Sequence, residues 1–306
     1  NPIISMRFAF RGGAGLDPTG RTGLANMAAS LLDEGAGDLD STAFQQTLDD
    51  QSITLRFSAG RDTFSGRLVT LVDSRDSAFK MLSLALTKPR FDARPVERIR
   101  SQLLGKIRQN TEETGAIAAK TLYKTLFPSH PYGRTTIGLA PDVKAVERAD
   151  LVSFTKERLA KDNLVIGVVG DILPETLAAL LDSTFGALPP KAKAWALPEA
   201  DPQGAGRTIV IKKSVPQSSI VFAEKGFKRD HPDFYAAYVM NYAFGGGGFT
   251  SRLYSTIREK RGLAYSVYTG LHPLVRAGLV FGSAGTANAN VAETLSLLRQ
   301  EWTRMA

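Results

Sequence analysis

Ile53-Thr54-Leu55-Arg56-Phe57-Ser58-Ala59-Gly60 lines up with Leu263-Ala264-Tyr265-Ser266-Val267-Tyr268-Thr269-Gly270, an offset of 210 residues. Both stretches read as strands that end at a glycine. A helix precedes each, with Leu48 or Ile257 placed to face inward, and a glycine cluster precedes that helix, Gly35–Gly37 in one case and Gly245–Gly248 in the other. Self-similarity at this period indicates two related units rather than one. Working outward, Ile3–Phe10 and Phe64–Leu71 read as strands. Leu24, Met27, Ala28, Leu31 and Leu32 recur at helical spacing, which predicts a helix over 22–34. Ser41-Thr42 can cap a helix through Leu48, and further helices fall near 74–87, 94–112, 115–126, 148–160 and 174–184. Asn163–Gly170 is a near-continuous apolar run, as a buried strand would be.

Pro189, Pro190, Pro198 and Pro202 among alanines and glycines mark 187–207 as a linker. The pattern then restarts with strand TIVIKK (208–213), strand SSIVFAEKGF, helix 231–244, the four glycines, helix 250–259 and strand LAYSVYTG. The expected architecture is α+β: two homologous domains, each an antiparallel-rich sheet backed by helices, over 1–186 and 208–306. The second began near 207, so on a period of about 210 only its first half is present. The chain, which opens on Asn1 without a charged-then-apolar leader, reads as a fragment at both ends.

Composition narrows the chemistry. There is no cysteine, which removes disulfides, thiolate metal sites and cysteine nucleophiles. The 38 basic against 30 acidic residues are dispersed in short clusters with acids or prolines nearby, so nothing argues for nucleic acid. No apolar stretch approaches the roughly twenty residues of a membrane span. The three histidines, His130, His231 and His272, each precede a proline and show no paired metal-ligand spacing, so they read as turn residues. No GxSxG elbow occurs, and Gly245–Gly248 lies between helices with no following Lys-Ser or Lys-Thr, so it is a poor phosphate loop.

The segment SRLYSTIREKRGLAYSVY (251–268), with GGGGFTSRL, GLANMAASLLDEG, HPYGR and NLVIGVVGD, resembles the pitrilysin/insulinase family of zinc peptidases, the inverzincins, over essentially the whole chain. The resemblance implies halves built from two repeats each, closing around a chamber. It also implies a zinc helix, GLA-His-x-x-Glu-His, whose histidines bind zinc and whose glutamate activates water. Here Gly23-Leu24-Ala25 is followed by Asn26 at the first histidine position, Ala29 at the glutamate and Ser30 at the second histidine. The third ligand, a downstream glutamate, falls by spacing near Lys106.

The same resemblance implies that an arginine and a tyrosine seven residues apart reach the scissile peptide from the non-zinc half, here Arg258 and Tyr265. Taken without it, Arg258 reads as a solvated helix end and Tyr265 as a core strand residue. The expected function is a zinc-free, non-catalytic subunit of a heterodimeric metallopeptidase, inactive alone and holding no cofactor. It would give Arg258 and Tyr265 in trans to a partner that bears HxxEH and zinc, with peptide as substrate. Gly245–Gly248 would be a hinge beside the chamber. The alternatives are a structural or assembly homologue and a peptide-binding homodimer. Resemblance to bacterial members points to the periplasm rather than the cytoplasm.

Overall fold

The structure, a computed structural model, describes residues 2–305. In chain order the elements are β1 (Ile3–Arg11), α1 (Leu24–Ala29), α2 (Ser41–Asp50), β2 (Thr54–Ala59), β3 (Thr63–Leu71), α3 (Arg75–Thr87), α4 (Ala93–Asn110), α5 (Thr114–Leu126), α6 (Ala140–Ala145), α7 (Arg148–Arg158), β4 (Leu164–Gly170) and α8 (Pro174–Phe185). They continue with β5 (Gln217–Lys225), α9 (Phe234–Asn241), β6 (Ala264–Pro273), β7 (Gly278–Ala287) and α10 (Val291–Thr303). Two compact units form. One takes the residues up to 107 together with 135–196, the other 108–134 together with the residues from 197 on. The segment 108–134, which the periodicity assigned to the first domain, thus groups with the second because α5 lies on β5.

The first unit holds an antiparallel sheet in the order β2-β3-β1-β4. One face alternates into the core: Ile4, Met6, Phe8 and Phe10 from β1 are buried, packed with Phe64 and Leu68 of β3. The second unit holds a sheet in the order β5-β7-β6, also antiparallel. Its order repeats the first three strands of the other sheet, with β6, β7 and β5 in the places of β2, β3 and β1. The equivalence extends to side chains. Phe8 lies opposite Gly66 and Phe222 opposite Gly282, and in each pair the ring covers the glycine so closely that a Cβ has no room. On this anchor Phe57 corresponds to Thr269, not to Val267 as the sequence alignment had it. The slip is two residues, one full strand period, so inward and outward faces are unchanged. Leu48 and Ile257 are both buried, as their placement in the repeat required.

Several local expectations change for identifiable reasons. The helix expected over 22–34 is only Leu24–Ala29. Gly23 enters it with φ +94, the buried Asp17 carboxylate accepts from the Gly23 and Ala25 N–H groups, and the Ser30 hydroxyl donates back to the Asn26 carbonyl where the helix ends. Asp40, not Ser41 or Thr42, caps α2 by accepting from the Ala43 N–H. The apolar run 163–170 is an edge strand, so Val165 and Val169 face outward, 60% and 79% exposed. The segment 208–213 is not a strand, because no ladder partner lies beside it; Ile209, Val210 and Ile211 are exposed. The proline-rich stretch lacks helix and strand yet is tied down. Lys193 N–H donates to the Glu157 carbonyl and Trp195 lies by Gly12 in the first unit, while Ala200 N–H donates to Arg276 in the second.

Candidate functional site

The positions of the degenerate zinc motif come first. Ala29 is buried in the core of the first unit, and Asn26 and Ser30 are half-buried and joined by the Ser30 hydroxyl on the Asn26 carbonyl. Lys106 is exposed on α4. An amide, a methyl, a hydroxyl and an ammonium are not a donor set for a dication. Among the described residues no three histidine, cysteine or acidic side chains gather in a way that could hold a metal ion. The ring nitrogens of two histidines serve turns: His130 Nδ1 accepts from the Tyr132 N–H and His231 Nδ1 from the Asp233 N–H. His272, expected in a turn as well, lies in β6 with its ring at the edge of Tyr123.

Arg258 and Tyr265 are brought together in the second unit. A strand residue at Tyr265 would ordinarily be aimed by the pleat, but Ala264 pairs with Thr286 and Ser266 already pairs with Gly285, so Tyr265 is the extra residue of a bulge. A bulge re-aims its side chain, and Tyr265 stands 81% exposed. Arg258 lies in a π-helical turn, Tyr254–Glu259, in which the Lys260 N–H reaches back to the Ser255 carbonyl. Its guanidinium carbon lies 4.7 Å from the Tyr254 ring centroid and 5.6 Å from that of Tyr265, and Nη1 donates to the Tyr254 hydroxyl. One face of the cation is thus held by Tyr254, and Tyr265 stands within cation–π range. Tyr254 was not singled out by sequence reasoning. Its position four residues before Arg258 on a helix was the available signal.

A pocket of ≈ 410 Å³ opens here, with Arg258, Tyr265, Gln217, Gly285, Thr286 and Asn290 on its walls. It offers a forked cation, a phenol and two amides to a polar ligand. A larger concavity, ≈ 760 Å³, runs along one side of α10, lined by Arg299, Gln300, Thr303 and Arg304 among others, and includes neither Arg258 nor Tyr265.

The glycine cluster flanks this region through a second π-helical turn, Tyr242–Gly246, in which the Gly247 N–H donates to the Tyr242 carbonyl. Gly245 is pressed against β6; a Cβ there would come within 2.5 Å of Thr269 Oγ1. Gly248 has φ +61 and open space. Turns of the π type are rare and concentrate at functional sites. Two of them packed against one strand, β6, are a structural signal that hydrophobic periodicity does not carry.

The family description "Peptidase M16 inactive domain" matches residues 145–306. The non-peptidase homolog YmxG of Helicobacter pylori is 29% identical over 268 residues, 87% of this chain and 62% of that protein. A probable mitochondrial-processing peptidase subunit beta of Schizosaccharomyces pombe is 29% identical over 201 residues, 62% of this chain and 44% of its own length. The chain therefore spans less than two thirds of the curated relatives it matches. The crystal structure of a peptidase M16 inactive domain from Pseudomonas fluorescens superposes with a TM-score of 0.92 at 29% identity, over 99% of this chain and 74% of that one.

Proposed function

The chain belongs to the peptidase M16 family, and from that premise we propose that it is a zinc-free subunit which completes the active site of a zinc-bearing family partner. One observation carries the reading: Tyr265 is displayed by a bulge, with Arg258 stacked beside it, while the zinc-motif positions hold Asn26, Ala29 and Ser30. A purely structural remnant has no use for a phenol held out of its own sheet. On this reading peptide binds beside the pocket. The Arg258 guanidinium donates to a substrate carbonyl or carboxylate. The Tyr265 hydroxyl donates to the oxygen that gains negative charge as the scissile carbonyl is attacked. Tyr254 is a positioning residue that holds Arg258. The attacking water and the metal belong to the partner, so the chain alone has no turnover, and peptide and partner meet it in the bacterial periplasm.

We also read the second unit as a partial copy of the first. The α1 face formed by Ala25, Ala28 and Ala29 is buried, and α7 packs on α1. The matching α9 face, Tyr235, Tyr238 and Val239, is 54–68% exposed. Counterparts of α7 and β4 are absent from this unit among the described residues.

The test mixes the chain with an HxxEH-bearing family partner in a quenched-fluorescent peptide assay with zinc analysis. Cleavage is expected only in the mixture. Arg258→Ala and Tyr265→Phe should lower kcat by about 10²–10³ without changing zinc content. Tyr254→Phe should fall between these variants and the unmodified chain. Wild-type turnover by the Arg258 and Tyr265 variants refutes the role in trans. Cleavage by the chain alone with bound zinc refutes the whole reading.

A further inference from the structure

The pocket beside Tyr265 holds a charge that its surroundings leave unanswered. Among the described residues on its wall Arg258 is the one charged side chain, and none is acidic. Glu259, next in the chain, is exposed and not part of the wall. Three other arginines of this unit have carboxylate partners: Arg252 and Arg304 hold Glu301, and Arg276 holds Glu199. Arg258 is half-buried yet forms no ion pair among the described residues. Its guanidinium makes one hydrogen bond there, from Nη1 to the Tyr254 hydroxyl.

The donors that remain define what fits. With Nη1 engaged, the Nε–Nη2 edge keeps two parallel N–H groups, the fork that a carboxylate fills with both oxygens. A peptide carbonyl offers a single oxygen and no charge. The ring centroids of Tyr254 and Tyr265, 4.7 and 5.6 Å from the guanidinium carbon, flank the fork and hold it ready, so less freedom is lost on binding. Two neutral donors stand by: Asn290 precedes α10 without using its side chain as a cap, and Gln217 opens β5. The Thr286 hydroxyl is committed to the Leu263 carbonyl and is not a third. At ≈ 410 Å³ the pocket has room for a side chain with its backbone. One cation among neutral donors balances one negative charge, which suits a carboxylate better than a phosphate group carrying about −1.5 to −2.

We propose that this pocket is a carboxylate subsite, taking an acidic side chain or the free C-terminal carboxylate of a peptide on the Arg258 fork, with Asn290 and Gln217 as neutral donors. This rests on the function proposed above, in which peptide lies beside the pocket, and adds that the peptide group seated there is anionic.

The experiment is fluorescence anisotropy on the unmodified chain, with no zinc-bearing subunit present. The probes are labelled peptides of one sequence: a central glutamate with an amidated C-terminus, its amidated glutamine counterpart, the glutamine peptide with a free C-terminus, and an amidated phosphoserine version. At least one of the two carboxylate peptides should bind at least roughly tenfold more tightly than the amidated glutamine peptide, and its binding should weaken as salt rises. Which of the two does so tells side chain from terminus. Arg258→Lys keeps the charge without the fork and should cut the preference to roughly threefold or less. Arg258→Gln should abolish it, and Asn290→Ala should weaken the preferred peptide roughly two- to fivefold. Urea midpoints check that the variants fold, and the comparison among peptides decides without any variant. No binding of either carboxylate peptide, equal binding of the amidated glutamine peptide, an undiminished preference in Arg258→Gln, or tighter binding of the phosphoserine peptide would each overturn the subsite. Turnover with the zinc-bearing partner is scored separately. If Arg258→Ala lowers it equally for glutamate and glutamine peptides, the role in trans stands and the subsite falls. Carboxylate-selective binding with turnover untouched by Arg258→Ala keeps the subsite and removes the role in trans.

Discussion

Replacing Gly66 by alanine puts the ring-over-glycine anchor to a quantitative test. A Cβ at Gly66 would lie 2.6 Å from both Cε atoms of Phe8, inside any real contact distance. Phe8 has nowhere to go: it is 2% exposed and its ring meets Phe10, Phe57 and Phe185 at 5.7–6.1 Å. Overpacking of this kind costs about 1–3 kcal/mol, against about 0.4–1 kcal/mol gained from a less flexible unfolded chain, so a net loss of about 1.3 kcal/mol is expected. Gly282→Ala makes the same clash with Phe222, 2.5 and 2.9 Å from its Cε atoms. That ring is half-buried and can swing toward solvent, so its net cost should be within about 1 kcal/mol of zero. The chain supplies its own probes, Trp195 in the first unit and Trp302 in the second, the latter edge-on to Phe222. Urea unfolding followed by tryptophan fluorescence in Trp195→Phe and Trp302→Phe backgrounds reads each unit separately. Phe8→Leu added to Gly66→Ala should recover at least about 1 kcal/mol relative to additivity. Equal costs at the two glycines, or strict additivity with Phe8→Leu, would refute the argument that burial of the covering ring sets the penalty.

Two further outcomes follow from buried charge. Glu301 is 3% exposed and accepts from Arg252 and Arg304, whose own side chains remain 43% and 64% exposed. Glu301→Gln frees two arginines that can rehydrate, and should cost about 1–2 kcal/mol, whereas Arg252→Ala with Arg304→Ala strands a buried carboxylate and should cost about 3–5 kcal/mol; urea midpoints read at Trp302 decide the order. Burial is the main reason the Asp33 carboxyl titrates above its ordinary range, with Glu34 adding to it and Arg56 opposing it. The folded state therefore resists ionising Asp33 more than the unfolded chain does, so its stability is fully present at low pH and falls as pH rises through the folded-state pKa. Asp33→Asn should match the unmodified chain at acidic pH and exceed it at neutral pH, and a pH series of urea midpoints showing the opposite slope would count against that sign.

Local pattern reached far in this chain. Period-two and period-3.6 spacing located β1, β3, α3, α5, α8 and most of α4 within a few residues, because each buries one face and the side chains must recur on it. The resemblance alone placed the degenerate zinc-motif positions at Asn26, Ala29 and Ser30; the chemistry of those side chains is then read directly from the sequence. Capping and edges were harder. Asp17 reaches Gly23 and Ala25 across a turn, and the apolar run 163–170 proved an edge strand because its neighbours, not its composition, decide whether one face stays wet.

The sequence by itself determined most of the segments that become helix or strand and which residue types remained to do chemistry. Only the tertiary structure decided what stands opposite what. Strand period tells which residues share a face but says nothing of the partner or of an inserted residue. The bulge that turns Tyr265 outward and the π turn that lays Arg258 on Tyr254 arise from hydrogen-bond register. That register is settled by packing between segments, in places tens of residues apart, and it is where the charge and the exposed phenol of this protein acquire their positions.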